Sequence, residues 1–120
     1  PTRTFCYVSD ALTGYLLAML SSHHAEPFNV GTESPEISMR DLGQMLLDVA
    51  GSKGRVIHKP SDEADYLTDN PNRRCPNIAK ARSLLGYTPL VDLRLGLGRM
   101  LQWYKGFAAL EELDRDEPGK

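Results

Sequence analysis

The sequence predicts a small mixed α/β domain of about three short strands and four helices. Three short runs rich in aromatic and β-branched residues, at 3–8, 28–30 and 55–58, carry the strand prediction. Four stretches with apolar residues at helical spacing carry the helices. Glycines and prolines at 31, 35, 51, 86 and 89 punctuate them.

In order, Arg3, Phe5 and Tyr7 share one face of the first strand and Thr4, Cys6 and Val8 the other, because strand side chains alternate. Asp10 is placed to cap a helix to about Ser21, with Leu12, Leu16, Met19 and Leu20 as its apolar stripe and the run from Tyr15 to Leu20 as its buried side. A loop with His23, His24 and Pro27 leads to the strand at 28–30. Ser38 and Asp41 resemble a capping box, and Leu42, Met45, Leu46 and Val49 follow at i, i+3, i+4 and i+7 until Gly51. After the strand at 55–58, a polar stretch over 60–76 contains three prolines and little periodicity. So long an irregular segment in a small domain often marks a functional loop. Asn77 caps a short helix to Leu85, which Gly86 stops. Asp92 caps a last helix with the stripe Leu93, Leu97, Met100, Leu101 and Tyr104. Trp103 and Tyr104 are expected to pack. From Glu111 onward a charged tail is expected to fray.

Composition narrows the function. The chain has 120 residues, 41% hydrophobic and 25% charged, with a net charge of −2. A core of that size is thin. Near-neutrality argues against nucleic-acid binding, which needs a basic excess. No apolar run approaches the roughly 18–20 residues of a membrane span. The start at Pro1 carries neither a basic nor an apolar leader region, so a cytoplasmic protein is expected. Cys6 and Cys75 are far apart and form no CxxC pair; free thiols are expected, with a single disulfide left open. Adjacent His23 and His24 diverge and lack a completing thiol or carboxylate, so no metal site is expected, and His58 is expected to be structural.

Several separated motifs occur in a fixed order. Arg3-Thr-Phe-Cys-Tyr-Val-Ser-Asp10 is followed by Phe28-Asn29-Val30-Gly31, then the Ile37-Ser38 helix start and Lys59-Pro60. Asp69-Asn70-Pro71-Asn72-Arg73-Arg74-Cys75-Pro76-Asn77 comes next, running into Ala79-Lys80-Ala81 and Leu84-Leu85-Gly86-Tyr87-Thr88-Pro89. This series resembles the C-terminal, substrate-binding portion of the extended short-chain dehydrogenases/reductases, Rossmann-type NAD-dependent epimerases, dehydratases and decarboxylases of nucleotide sugars. It looks most like UDP-glucuronate decarboxylases and dTDP-glucose 4,6-dehydratases. Asn70 and Asn77 stand where that family commonly has acidic residues, and Tyr87 where it often has Trp.

The resemblance implies a nucleotide-sugar domain over residues 1–105 and a tail over 106–120. It implies Arg3 and Arg74 as guanidinium clamps on the diphosphate of a UDP- or dTDP-hexose, a forked geometry suited to phosphate oxygens. Tyr7 and Phe5 share the face of Arg3, where an aromatic can stack on a base, pack a sugar ring or fill the core, and Tyr7 is the candidate for ligand contact; Asp69 or Asn70 is the candidate acceptor of a ribose hydroxyl. Asn29 is expected to bond the backbone of its own strand end. The intact enzyme is implied to use NAD, to carry an N-terminal NAD-binding domain and to be a homodimer.

The chemical parts are missing from these 120 residues. A pyrophosphate seat needs a glycine-rich turn between a strand and a helix; Gly51 and Gly54 follow a helix and have no third glycine. None of the five tyrosines has Lys four residues on, so the family's Tyr-x-x-x-Lys is absent. No catalytic residue is therefore expected, and this portion alone is expected to neither bind NAD nor turn over substrate. The alternative from another class is a noncatalytic nucleotide-sugar-sensing or protein-interaction module with the same fold.

Overall fold

Strand β1 (Thr2–Arg3) is the centre of a three-stranded sheet in the computed structural model, flanked by β2 (Ile37–Ser38) and β3 (Arg73–Arg74). β2 runs antiparallel to it, with Thr2 opposite Ser38 and Arg3 opposite Ile37. β3 runs parallel, with Thr2 opposite Arg73 and Arg3 opposite Arg74. Thr2 N–H donates to Asn72 O at 2.8 Å and Thr4 N–H to Arg74 O at 3.0 Å, extending that ladder. The structure describes residues 1–57, 59 and 71–115, with side chains as far as residue 108.

Around the sheet lie four helices among the described residues: α1 (Val8–Leu20), α2 (Met39–Ala50), α3 (Ala79–Leu85) and α4 (Leu93–Arg115). The small mixed α/β architecture is as the sequence predicts. Strand positions differ. The runs at 28–30 and 55–57 join no ladder among the described residues, while two-residue strands form at Ile37–Ser38 and Arg73–Arg74 instead. β-propensity reports a side chain suited to a pleated surface, but a strand exists only where a partner supplies its hydrogen bonds.

The helix ends follow local chemistry. Ser38 accepts from Asp41 N–H at 3.1 Å and donates to the Asp41 carboxylate at 2.6 Å, closing the α2 cap that the sequence foreshadows. Gly51 ends α2 in the left-handed region at φ 62°, where a Cβ is costly. At α3, Asn77 Oδ1 accepts from Ala79 N–H at 2.9 Å, and Gly86 closes the far end at φ 66°. Asp92 Oδ1 accepts from Leu95 N–H at 2.9 Å and starts α4. That helix runs on to Arg115, through residues expected to be tail.

α1 differs from expectation in two ways. Its N-cap is Tyr7, whose carbonyl accepts from Asp10 and Ala11 N–H, both at 3.1 Å, and no side chain caps it. Asp10 is inside the first turn and buried at 6% exposure, where its Oδ2 accepts from Leu90 N–H at 3.1 Å and Val91 N–H at 2.9 Å. It ties α1 to the segment before α4. The second difference is rotation. Asp10, Gly14 and Leu17 face inward, and Leu12, Leu16, Met19 and Leu20 face solvent. Gly14 sets this: a Cβ there would sit 2.4 Å from Val30 Cγ1 and 3.0 Å from Tyr87 Cε2, so only glycine admits so close an approach.

The core is correspondingly small. Ile78, Ala81 and Tyr87 are buried, with Leu17, Phe28, Val30 and Leu85 packed around them. The Tyr87 hydroxyl donates to Gly31 O at 3.0 Å, and burial pushes its phenol well above the ordinary range, with the Cys6 thiol 3.7 Å away adding to the shift. α2 packs on α4, where Leu97 is buried. Trp103 and Tyr104, expected as packing residues, are exposed; Trp103 stacks on Phe107 at 5.5 Å. Asn29 also departs from expectation: its amide donates to Asn77 O at 3.0 Å, bridging to the start of α3 rather than its own strand end.

Candidate functional site

The sheet brings the two expected phosphate ligands together. Arg3 on β1 and Arg74 on β3 are register partners in the parallel pair, so their side chains leave the same face of adjacent strands. Arg73, one residue earlier, leaves the opposite face. There its guanidinium grips Glu36, with Nε 3.1 and 2.9 Å from the two carboxylate oxygens and Nη2 2.8 Å from Oε2, while Thr2 Oγ1 also donates to Glu36. Alternation thus divides two neighbouring arginines between two tasks. Arg73 fastens β3 to the segment before β2, and Arg74 is left without a carboxylate partner among the described residues. Arg3 is half-buried and Arg74 exposed.

Beside Arg74 lies an open groove of about 490 Å³, lined by Thr4, Cys6, Thr32, Arg73, Arg74 and Cys75 among others, with Arg3 outside its wall. Its size is within the range of small-molecule sites. Cys6 and Cys75 are both free thiols on its wall.

The other candidates lie elsewhere. The Tyr7 ring packs against α4, with its Cδ2 3.0 Å from where a Cβ on Gly96 would stand and the Arg99 guanidinium 5.7 Å above it. It lines an apolar cavity of about 490 Å³ with Phe5, Leu42, Leu46, Leu97 and Met100, not the arginine groove. The strand ends at Arg3 and a helix starts at Val8, so alternation from Arg3 to Tyr7 does not hold. Asp69, Asn70 and His58 lie outside the described residues. His23 is 3.6 Å from Glu26 and edge-on to Phe28, in a loop position.

Sequence reasoning missed two carboxylates that tie the segment before β2 to α3 and β3. Glu33 Oε1 accepts from Ile78 N–H at 3.2 Å and its Oε2 from Arg82 Nη2 at 3.0 Å, joining the Val30–Glu36 loop to α3. The Ile78 N–H and then Arg82 hold the Glu33 carboxyl below its ordinary value; Thr2 and then Arg73 do the same for Glu36. No local pattern announces either role, since their partners are more than thirty residues distant in sequence. A depressed carboxylate contributes stability that is present above the unfolded value and lost as pH falls through the folded one. The urea midpoint is therefore expected to hold between pH 7 and 5 and to drop below about pH 4, the ordinary carboxylate region. Glu33→Gln should make that drop shallower, while already lowering the midpoint at pH 7.

No protein-family model matches the chain. It is 35% identical over 104 residues to UDP-glucuronic acid decarboxylase 1 of Arabidopsis thaliana, covering 87% of this chain and 22% of that protein. It is 33% identical over 103 residues to UDP-glucuronic acid decarboxylase 1 of Danio rerio, covering 86% and 23%. Among solved structures, a mutant UDP-glucuronic acid 4-epimerase from Bacillus cereus, in complex with UDP-4-deoxy-4-fluoro-glucuronic acid and NAD, superposes with a TM-score of 0.74 at 27% identity, over 88% of this chain and 32% of that one. UDP-glucose 4-epimerase from Thermotoga maritima, solved with UDP-glucose, gives 0.74 at 26%, over 88% and 32%. The chain thus spans about a fifth to a third of the proteins it matches.

Fold and motifs together resemble those of the C-terminal portion of an extended short-chain dehydrogenase/reductase. Within that class, the chain is homologous to part of the UDP-glucuronic acid decarboxylases and UDP-sugar 4-epimerases.

Proposed function

We propose that this chain is the substrate-binding portion of a nucleotide-sugar-modifying enzyme similar in kind to UDP-glucuronate decarboxylase, and that Arg3 and Arg74 clamp the nucleotide diphosphate. The observation that carries this reading is the register of β1 and β3, which pairs Arg3 with Arg74 on adjacent strands, on one face of the sheet. Each offers a planar fork of donors, and two such forks suit the two phosphates of a nucleoside diphosphate. Asp69 or Asn70 would accept a ribose hydroxyl, and Tyr7 is the weaker candidate contact because its ring rests on α4.

The identity of the relatives favours a UDP-sugar: the decarboxylases and epimerases it resembles are named for UDP-glucuronic acid and UDP-glucose. The decarboxylases carry the higher identity, which is the reason for preferring that reaction over epimerisation. In the intact enzyme, binding energy from the remote diphosphate would hold the hexose in place for reaction. A cytoplasmic, homodimeric parent completes the reading; no described helix is long and apolar enough to cross a membrane.

NAD accompanies several structural relatives, but the residues described here do not form a seat for it. Gly51 closes a helix rather than opening one, and Gly54 N–H bonds Ser52 Oγ at 3.1 Å in the loop beyond. A pyrophosphate seat needs free N–H groups at a helix start. This portion's task is to bind and orient.

Calorimetric titration of UDP into the 120-residue chain tests the proposal. A charge-assisted hydrogen bond is worth roughly 1.5–3 kcal/mol, so Arg3→Ala and Arg74→Ala should each weaken UDP about tenfold or more. Arg74→Lys should restore little, because a point charge lacks the fork. Arg73→Ala should leave the affinity within about threefold, since Arg73 faces Glu36. Equal losses for all three arginines would contradict the clamp.

A further inference from the structure

We propose that α4 is a self-association helix, pairing antiparallel with the α4 of a second copy of this chain through the face that carries Trp103 and Phe107. The proposal goes beyond the nucleotide-sugar reading and does not rest on it.

α4 is longer than its support. It spans Leu93–Arg115 and packs on α2 through its first half, where Gly96 and Leu97 are buried. From Gln102 to Ala108 every residue is exposed among the described residues. An unsupported helix of about 12–15 residues is marginal in water, and Gly106 weakens this one further. Three aromatics stand on that second half: Trp103 at 61% exposure, Tyr104 at 58% and Phe107 at 49%. Trp103 is edge-on to Tyr104 at 5.0 Å and stacked on Phe107 at 5.5 Å. A patch already assembled loses little further freedom when it is covered, and aromatics of this kind anchor interfaces.

The order of residues points to the occupant. Around Lys105 the helix reads almost as its own mirror image: Trp103 is matched by Phe107, Met100 by Leu110 and Arg99 by Glu111. In an antiparallel pair centred on residue 105, each position lies level with its mirror position in the other copy, which is the self-complementarity a two-fold contact demands. Apolar positions then meet apolar ones. The one inversion of character, Arg99 with Glu111, is the one that brings opposite charges level. At about 100° per residue these six positions fall within an arc of about 120°, and position 105 lies on the far side.

Charge along the whole helix agrees. Its first turn holds no acidic residue; Arg94, Arg99 and Lys105 precede Glu111, Glu112 and Asp114, and Arg115 alone breaks that order. The helix dipole favours the reverse, acidic residues at the start and basic ones at the end. An antiparallel partner brings the acidic end of one helix to the basic start of the other and relieves both. The three aromatics offer on the order of 350 Å² per copy, so the contact belongs among small, reversible interfaces.

Sedimentation equilibrium of the 120-residue chain tests the pairing. The chain should show a monomer–dimer equilibrium with a dissociation constant in roughly the micromolar range. Trp103→Ala should weaken the dimer about thirtyfold or more. Its urea midpoint, read at a dilution where the wild type is monomeric, should not move, because Trp103 is exposed in the monomer. Arg99→Glu and Glu111→Arg should each weaken the dimer about tenfold, and the two combined should return it to within about threefold of wild type. A chain still monomeric at about 1 mM overturns the proposal. So does a dimer indifferent to Trp103→Ala, which would place the contact on another face, such as the outer side of α1. A combined charge swap no tighter than either single variant would contradict the antiparallel register.

Discussion

Tyr87→Ala is expected to destabilise the chain by about 3–5 kcal/mol, the range for removing a large aromatic from a core. Tyr87 is fully buried and is the largest member of a core otherwise made of Ile78 and Ala81 with half-buried neighbours. Its removal would leave Gly14, Val30 and Leu17 facing a void across the α1–α3 contact. Tyr87→Phe separates packing from hydrogen bonding. It keeps the ring and loses the donor to Gly31 O, at an expected loss of about 1 kcal/mol. Urea denaturation followed by far-ultraviolet circular dichroism gives both numbers. A Tyr87→Phe loss as large as that of Tyr87→Ala would show that the hydroxyl, not the ring, dominates.

Asp10→Ala should rank second, with a loss of about 3 kcal/mol. The carboxylate accepts two backbone N–H groups, from Leu90 and Val91, and removing it strands both donors in a part-buried turn. Bonds to a charged acceptor are individually worth roughly 1.5–3 kcal/mol, and an orphaned donor adds its own desolvation penalty. Asp10→Asn keeps an oxygen acceptor and should recover about half of the loss. If Asp10 were an exposed helix cap instead, alanine would cost only about 1 kcal/mol, and amide exchange at Leu90 and Val91 would be unchanged. The structure predicts accelerated exchange at those two amides in Asp10→Ala.

Both residues show where a sequence is legible and where it is not. The Ser38–Asp41 box, the stripe that follows it and Gly51 are local signals, and α2 forms where they place it. Asn77, Gly86 and Asp92 are equally local and equally reliable. Asp10 has the composition of a cap, yet its partners lie eighty residues away, and long-range geometry overrides the local pattern. The α1 stripe was legible as apolar but not in direction. A helix with apolar residues on two sides gives periodicity no single answer, and the decision came from Gly14, a residue with no side chain to count. The strands at Ile37–Ser38 and Arg73–Arg74 are two residues long, with Ile37 alone of strong β-propensity, and exist because Thr2 and Arg3 supply partners. The arginine pair was accessible only through motif resemblance; alternation along β3 then explains why Arg74 rather than Arg73 is available to a ligand.

The central claim is that Arg3 and Arg74 hold a nucleotide by its diphosphate, and phosphorus-31 magnetic resonance of UDP in the presence of the 120-residue chain tests it most directly. The account predicts that both phosphate signals shift and broaden with the wild-type chain, and that Arg74→Ala abolishes the change. Unperturbed phosphate signals while the uridine protons shift would mean that the nucleotide is held by its base, and would contradict the account.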